Sequence, residues 1–231
     1  MTMPRTELIV ALDTPTLREA ASLLKELDGL PLIYKIGSSL FTLEGPKAVE
    51  AVHKRGGRVF LDLNFHDIPN TVRNAVRSAA ELGVYSVSLH LSGGEEMLRA
   101  AAGEKKRPLL WGITVLTSFD RRSFSRTGFR HGIERTISDL AAIGAGNGAD
   151  GIVCSPMEAA LVKERYGRKL RVITPGIRPA GPGDGGKEDQ KRVMTPAQAA
   201  AAGADFIVVG RPVLQAADPA ETVTRILKEI R

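Results

Sequence analysis

Phe60-Leu61-Asp62-Leu63-Asn64-Phe65-His66-Asp67-Ile68-Pro69-Asn70-Thr71-Val72 reads as an apolar strand with polar residues at its exit, a short loop, and a helix opened by proline. Strand side chains alternate between faces, so Asp62 and Asn64 share one face. Proline suits the first helical turn, where its missing N–H has no partner to lose. A polar pair is costly in a core and useful in a pocket, so the end of this strand is where chemistry is expected.

The same strand-then-helix unit extends outward in both directions. Apolar, β-rich runs fall at 8–12, 32–36, 58–63, 86–91, 109–116, 151–154, 171–174 and 206–209. Amphipathic helical patterns follow at 16–27, 46–54, 70–82, 95–102, 133–143, 158–166, 196–202 and 220–230. Strict alternation implies parallel strands joined by helical crossovers. Eight such units in 231 residues predict an α/β fold, a single (β/α)8 TIM barrel spanning 1–231, rather than an open doubly wound sheet. Ile9-Val10-Ala11-Leu12-Asp13 is not followed by Gly-x-Gly-x-x-Gly, so the dinucleotide-binding signature is absent. No linker or low-complexity tract marks a boundary.

Composition narrows the function classes. No apolar run approaches the ~20 residues that cross a bilayer, and the first residues lack the apolar core of a signal peptide. One cysteine fits a reducing compartment, and a cytoplasmic, soluble protein is expected. The net charge is +6, yet Lys105-Lys106-Arg107 and Arg121-Arg122 lack interleaved aromatics, and aromatic residues make up only 5%. A stacking platform for nucleic acid is therefore not expected. A positive field still favours an anionic small substrate.

In a barrel the active site lies at the carboxyl ends of the strands. Asp13 follows the first, Lys35 ends the second, and Asp62 with Asn64 ends the third. Each has an ordinary reading: Asp13 and Asp67 could cap helices, and Lys35 could snorkel from a strand edge. Three neighbouring strands delivering such residues to one rim favour a site. After the seventh strand come Thr174-Pro175-Gly176-Ile177-Arg178-Pro179, a glycine-rich loop over 180–189, and Gln190-Lys191-Arg192; after the eighth comes Gly210-Arg211-Pro212. Barrels frequently hold a phosphate at this place, with backbone N–H groups and charged donors such as Arg178 and Arg211. The alternative is two surface arginines beside ordinary turns. The long loop is a candidate lid. Cys154 reads as packing, His53, His90 and His131 show no metal-ligand spacing, and His66 reads as a loop-orienting residue rather than a catalyst.

Taken together, Val10-Ala11-Leu12-Asp13, Tyr34-Lys35-Ile36-Gly37, the stretch from Asp62 to Thr71, Val115-Leu116-Thr117-Ser118, Thr174 to Pro179, Asp189-Gln190 and Gly210-Arg211-Pro212 resemble the bacterial type of orotidine 5′-phosphate decarboxylase, the last enzyme of uridylate synthesis. The likeness covers essentially the whole chain. It implies a TIM barrel acting as a homodimer, with no metal and no organic cofactor. It further implies that Asp13 and Lys35 contact the ribose hydroxyls, with Lys35 paired to Asp62, and that Thr117 or Ser118 faces the pyrimidine. Arg178, Gln190, Gly210 and Arg211 would grip the phosphate. Asp67 and Thr71 would complete the partner subunit's site.

One position departs from the family. Where the family carries the lysine that protonates carbon 6, this chain has Asn64. An amide can donate a hydrogen bond but is no acid at neutral pH, and a general acid typically contributes ~10²–10⁴-fold. Asp62 and Asp67 also lose a neutralising ammonium, and two carboxylates ~4 Å apart repel by about 4 kcal/mol at an effective dielectric near 20. A strongly impaired variant is expected, with phosphate and ribose contacts kept. Because every other motif residue is in place, a deliberate single replacement is favoured over a natural relative with lost or altered activity.

Other readings stand beside this one. A metal-dependent sugar-phosphate decarboxylase or aldolase on the same barrel would, by the resemblance, carry a glutamate where this chain has Lys35. A non-catalytic uridine nucleotide-binding protein is made plausible by Asn64. A phosphate-binding isomerase or synthase of amino-acid metabolism is more remote.

Overall fold

The computed structural model describes residues 6–179 and 193–231. Eight parallel strands close into a barrel in sequence order. They are β1 (Glu7–Ala11), β2 (Ile33–Gly37), β3 (Arg58–Phe65), β4 (Ser86–His90), β5 (Leu109–Ile113), β6 (Gly151–Val153), β7 (Arg171–Thr174) and β8 (Phe206–Val209). Strand β8 pairs with β1 through Glu7–Phe206 to Val10–Val209, which closes the ring.

Around it lie α1 (Leu17–Glu26), α2 (Ser38–Glu44), α3 (Pro46–His53), α4 (Pro69–Glu81), α5 (Gly94–Ala102), α6 (Arg121–Phe124), α7 (Ile133–Gly146), α8 (Pro156–Tyr166), α9 (Pro196–Ala201), α10 (Arg211–Leu214) and α11 (Pro219–Glu229). Helix starts follow local chemistry. Thr16 caps α1 by accepting the Glu19 N–H at 3.2 Å. Proline stands at the opening of α3, α4, α8, α9 and α11. The short helices α2, α6 and α10 are additions to the expected eight-fold alternation.

Strand alternation divides the core in two. Leu8, Val10 and Leu12 pack outward beneath the helices, whereas Ile9 and Ala11 face the barrel interior with Ile33, Phe60, Trp111, Ile173 and Phe206. Trp111 fills the interior: its ring centroid lies 4.5 Å from that of Phe60 and 5.1 Å from that of Phe206. Its indole N–H is buried with no hydrogen-bond partner among the described residues. At the amino-terminal rim, Asp205 closes the seam by accepting from the Val172 N–H at 2.7 Å and pairing with Lys163 at 2.6 Å and Arg171 at 3.2 Å.

One strand is irregular. Strand β3 pairs with β4 at Phe60–Ser86 and Leu61–Val87, then shifts so that Phe65 lies opposite Leu89. Residues 62–64 thus bulge out against Ser88. Asn64 has φ 55°, the only positive value on a non-glycine residue among those described. Asn is one of the few side chains that enters this left-handed region readily. With the ladder broken, the Asn64 N–H donates to the Ser88 hydroxyl at 2.9 Å. Bulges of this kind re-aim side chains and gather beside active sites.

Candidate active site

A cavity of about 270 Å³ opens at the carboxyl ends of the strands. Asp13, Lys35, Asp62 and Asn64 line one side, and Arg178, Gly210 and Arg211 line the other. Phe60, Ile113, Ile173 and Val208 form its apolar floor. Asp62 and Asn64 face the cavity together, despite the bulge between them and the regular ladder.

Lys35 sits between two carboxylates, 2.9 Å from Asp13 Oδ1 and 3.6 Å from Asp62 Oδ2. Its side chain is only 14% exposed, so the ammonium is held at the site rather than snorkelling to solvent. Gly37 leaves it room, since a Cβ there would lie 3.1 Å from Lys35 Nζ. Asp13 is not a helix cap: Thr16 takes that role, and Asp13 is committed to Lys35. Asp13 also meets the other side of the cavity, because a Cβ on Gly210 would lie 3.5 Å from its Oδ2.

On the side of the arginines, the Arg178 backbone N–H donates to the Met194 carbonyl at 2.9 Å, and the Met194 N–H donates to the Gly176 carbonyl at 3.3 Å. These bonds tie the two described ends flanking 180–192. Arg211 opens α10 directly after Gly210. Two guanidinium groups with approachable backbone can hold a phosphate or carboxylate. Gln190 and the whole of the expected lid, 180–189, lie outside the described residues.

Thr117 lines the cavity with Val115 and Leu116, and Ser118 does not. Strand β5 ends at Ile113, short of the expected 116, because Val115–Thr117 turn over to form this wall. Asp67 and Thr71 are exposed and away from the cavity of their own chain. Asp67 Oδ1 accepts from the Ile68 N–H at 2.6 Å, but the residue at the cap of α4 is Ile68. Ile68 itself is 67% exposed, an apolar side chain in solvent between Asp67 and Pro69.

Two residues that look bland in the sequence stand at or beside the site. Cys154 is buried yet lines the cavity wall at the end of β6. His90 ends β4, and burial, then the neighbouring His66, push its imidazole below the usual histidine range, while Asp62 pulls it back up. The rule that singled out Lys35 and Asp62, a polar residue at a strand's carboxyl end, applies to His90 as well. Among the described residues, no three of His, Cys, Asp and Glu gather to hold a metal ion. No helix among them is long and apolar enough to cross a membrane.

Comparison with known proteins places this geometry. The orotidine 5′-phosphate decarboxylase / HUMPS family matches residues 6–226. Orotidine 5′-phosphate decarboxylase of Vibrio cholerae serotype O1 is 48% identical over 219 residues, covering 92% of this chain and 93% of its own. That of Aliivibrio fischeri is 44% identical over 225 residues, covering 95% of each. The crystal structure of orotidine 5′-phosphate decarboxylase from Lactobacillus acidophilus superposes with a TM-score of 0.85 at 33% identity, over 98% of this chain and 99% of that one. With its barrel, its cavity and its motifs in one order, the chain belongs to the orotidine 5′-phosphate decarboxylase / HUMPS family.

Proposed function

We propose that this protein binds orotidine and uridine 5′-phosphates in the carboxyl-end cavity and decarboxylates the former to the latter slowly, because Asn64 stands where the family has its proton-donating lysine. The observation that carries this reading is one shared cavity, with Lys35 held between Asp13 and Asp62 on one side and Arg178 with Arg211 on the other. Family membership supports the reaction class.

Decarboxylation without an electron sink leaves an electron pair on carbon 6 as carbon dioxide departs. Three means of lowering that barrier fit these residues. Asp62 opposes the substrate's own carboxylate. A cation stabilises the developing charge, for which Lys35 remains. Binding energy from a remote phosphate holds the reacting group in place, drawn from Arg178, Arg211, Gly210 and, outside the described residues, Gln190. Asp13 and Lys35 take the ribose hydroxyls, and Thr117, rather than Ser118, faces the pyrimidine. Asn64 can orient a ligand by hydrogen bonding but supplies no proton, so the electron pair left on carbon 6 takes its proton from water, which is what makes the reaction slow. Asp67, Thr71 and the exposed Ile68 suit a homodimer in which each chain completes the other's site. The reading needs no metal or organic cofactor.

Titration with uridine 5′-phosphate and with uridine tests this directly. The phosphate should contribute several kcal/mol, read as a hundredfold or greater difference in Kd. Equal affinities would remove the phosphate role of Arg178 and Arg211. Magnesium should leave binding unchanged, whereas metal-dependent affinity would favour the sugar-phosphate reading. Finally, Asn64→Lys should recover turnover; a variant that binds the nucleotide and stays inert would leave a nucleotide-binding protein.

A further inference from the structure

His90 is the residue at a strand's carboxyl end that the proposed chemistry leaves unused. It alternates with Ser88, whose hydroxyl meets Asn64, while Val87 and Leu89 pack into the outer core. His90 therefore shares the inward face. His66, in the loop after β3, places its ring centroid 5.3 Å from that of His90 at a tilt of 33°. Gly93 makes room chiefly for the Met97 side chain, and a Cβ there would also lie 3.2 Å from His66 Cδ2. His66 is exposed and His90 half-buried; neither lines the cavity, and Asp62 on the adjacent strand β3 is what links the pair to it.

The charged groups facing His90 are few. Asp62 acts on it from β3, with Lys35 standing 3.6 Å behind Asp62 Oδ2, and His66 acts from the loop. Its partner on β5 is Ile113, and the turn Leu91–Gly93 brings no charge. Asp67, exposed beside His66, spends one carboxylate oxygen on the Ile68 N–H.

We propose that His90, with His66 beside it, is a positioning residue that sets the specificity of the cavity, its charge state deciding how strongly the Asp62 wall opposes a carboxylate on the ligand. The proposal rests on the nucleotide reading above. With His90 neutral, Lys35 is the cation that tempers the repulsion between Asp62 and a ligand carboxylate. A proton on His90 adds a second cation acting on Asp62 and weakens that repulsion further. Burial and His66 hold His90 on the acid side of 6.5, so the change falls below neutral pH.

Orotidine and uridine 5′-phosphates differ only in the carboxylate, so the ratio of their affinities cancels the titration of the shared phosphate. Between pH 8 and pH 5.5, selectivity for orotidine 5′-phosphate, read before turnover, should rise about threefold to tenfold. In His90→Gln the ratio should stay flat. An unchanged slope in that variant overturns the proposal. A second measurement needs no nucleotide: the imidazole midpoints followed by NMR. Asp62→Asn should lower the His90 midpoint and His66→Gln should raise it; if neither moves it, the pair is not coupled to Asp62 and the proposal falls. If the midpoints move as stated while neither nucleotide binds, the coupling stands and the nucleotide reading is what has failed.

Discussion

Asn64 combines a left-handed backbone at φ 55° with a side-chain Oδ1 that is buried and has no hydrogen-bond partner among the described residues. Strain stored beside a binding cavity is usually tied to function. Lysine tolerates this conformation less well than asparagine, so Asn64→Lys should trade stability for rate. Turnover should rise ~10²–10⁴-fold, and stability should fall by about 1 kcal/mol. Steady-state kinetics and calorimetry would show both. Asn64→Gly should be more stable than Asn64→Ala by about 1 kcal/mol in denaturant melts, since only Ala keeps the Cβ penalty. His90 adds an acid limit. Its lowered pKa means that the unfolded chain, with an ordinary imidazole at 6.5, binds the proton first, so stability falls as pH drops below about 6.5. His90→Gln should flatten that slope. Asp62 and Lys35 were legible in the sequence because charge at the end of an apolar strand is conspicuous. His90 was not, because histidine is unremarkable without a visible partner, and the partner, His66, lies 24 positions away across a bulge.

The eight strands and their following helices could be read from alternating hydrophobic periods, and most ends agree within two residues. The exceptions have physical reasons. Helices α6 and α10, of 4 residues each, are too short to show a period. Val115-Leu116 looks like strand because it is apolar, but here apolar means cavity wall. No pattern in the sequence announced the bulge in β3, because a shift in register depends on what the neighbouring strand offers. Close packing at strand entries gives further tests. A Cβ on Gly57 would lie 2.8 Å from Val52 and 3.0 Å from the Tyr34 ring, so Gly57→Ala should cost about 1–3 kcal/mol by overpacking. Tyr34, next to it, has its hydroxyl pushed up to about 12, first by burial and then by Asp28, with Arg55 opposing. The folded state keeps a proton that the unfolded chain releases near pH 10, so stability should decline from there toward pH 12. Tyr34→Phe should remove that decline, as followed by circular dichroism.

Barrel closure joins the acidic side of the cavity, on β1 to β3, to the arginine side, after β7 and β8. Asp13 is the visible join, paired with Lys35 and filling the space that a side chain at Gly210 would need. At the opposite rim, Asp205 holds β7 to β8 through a backbone N–H and two cations, and its side chain is only 6% exposed. Asp205→Ala leaves Lys163 without its carboxylate and should cost about 3 kcal/mol or more, seen as a lowered Tm. The proposed dimer has a mixing test in the Asn64→Lys background. Asp67→Asn and Lys35→Ala proteins, each inactive alone, should regain activity when combined, since one site per mixed pair would be intact. A lack of rescue would assign Asp67 to its own chain.

Trp111 is the sole tryptophan, seated on the barrel axis against Phe60, and Phe60 floors the cavity. An indole in water-free surroundings emits at short wavelength, so the protein carries a built-in optical reporter under its own ligand. Filling the cavity should shift or quench that emission without any attached dye. A red shift on heating would then mark the opening of the barrel itself.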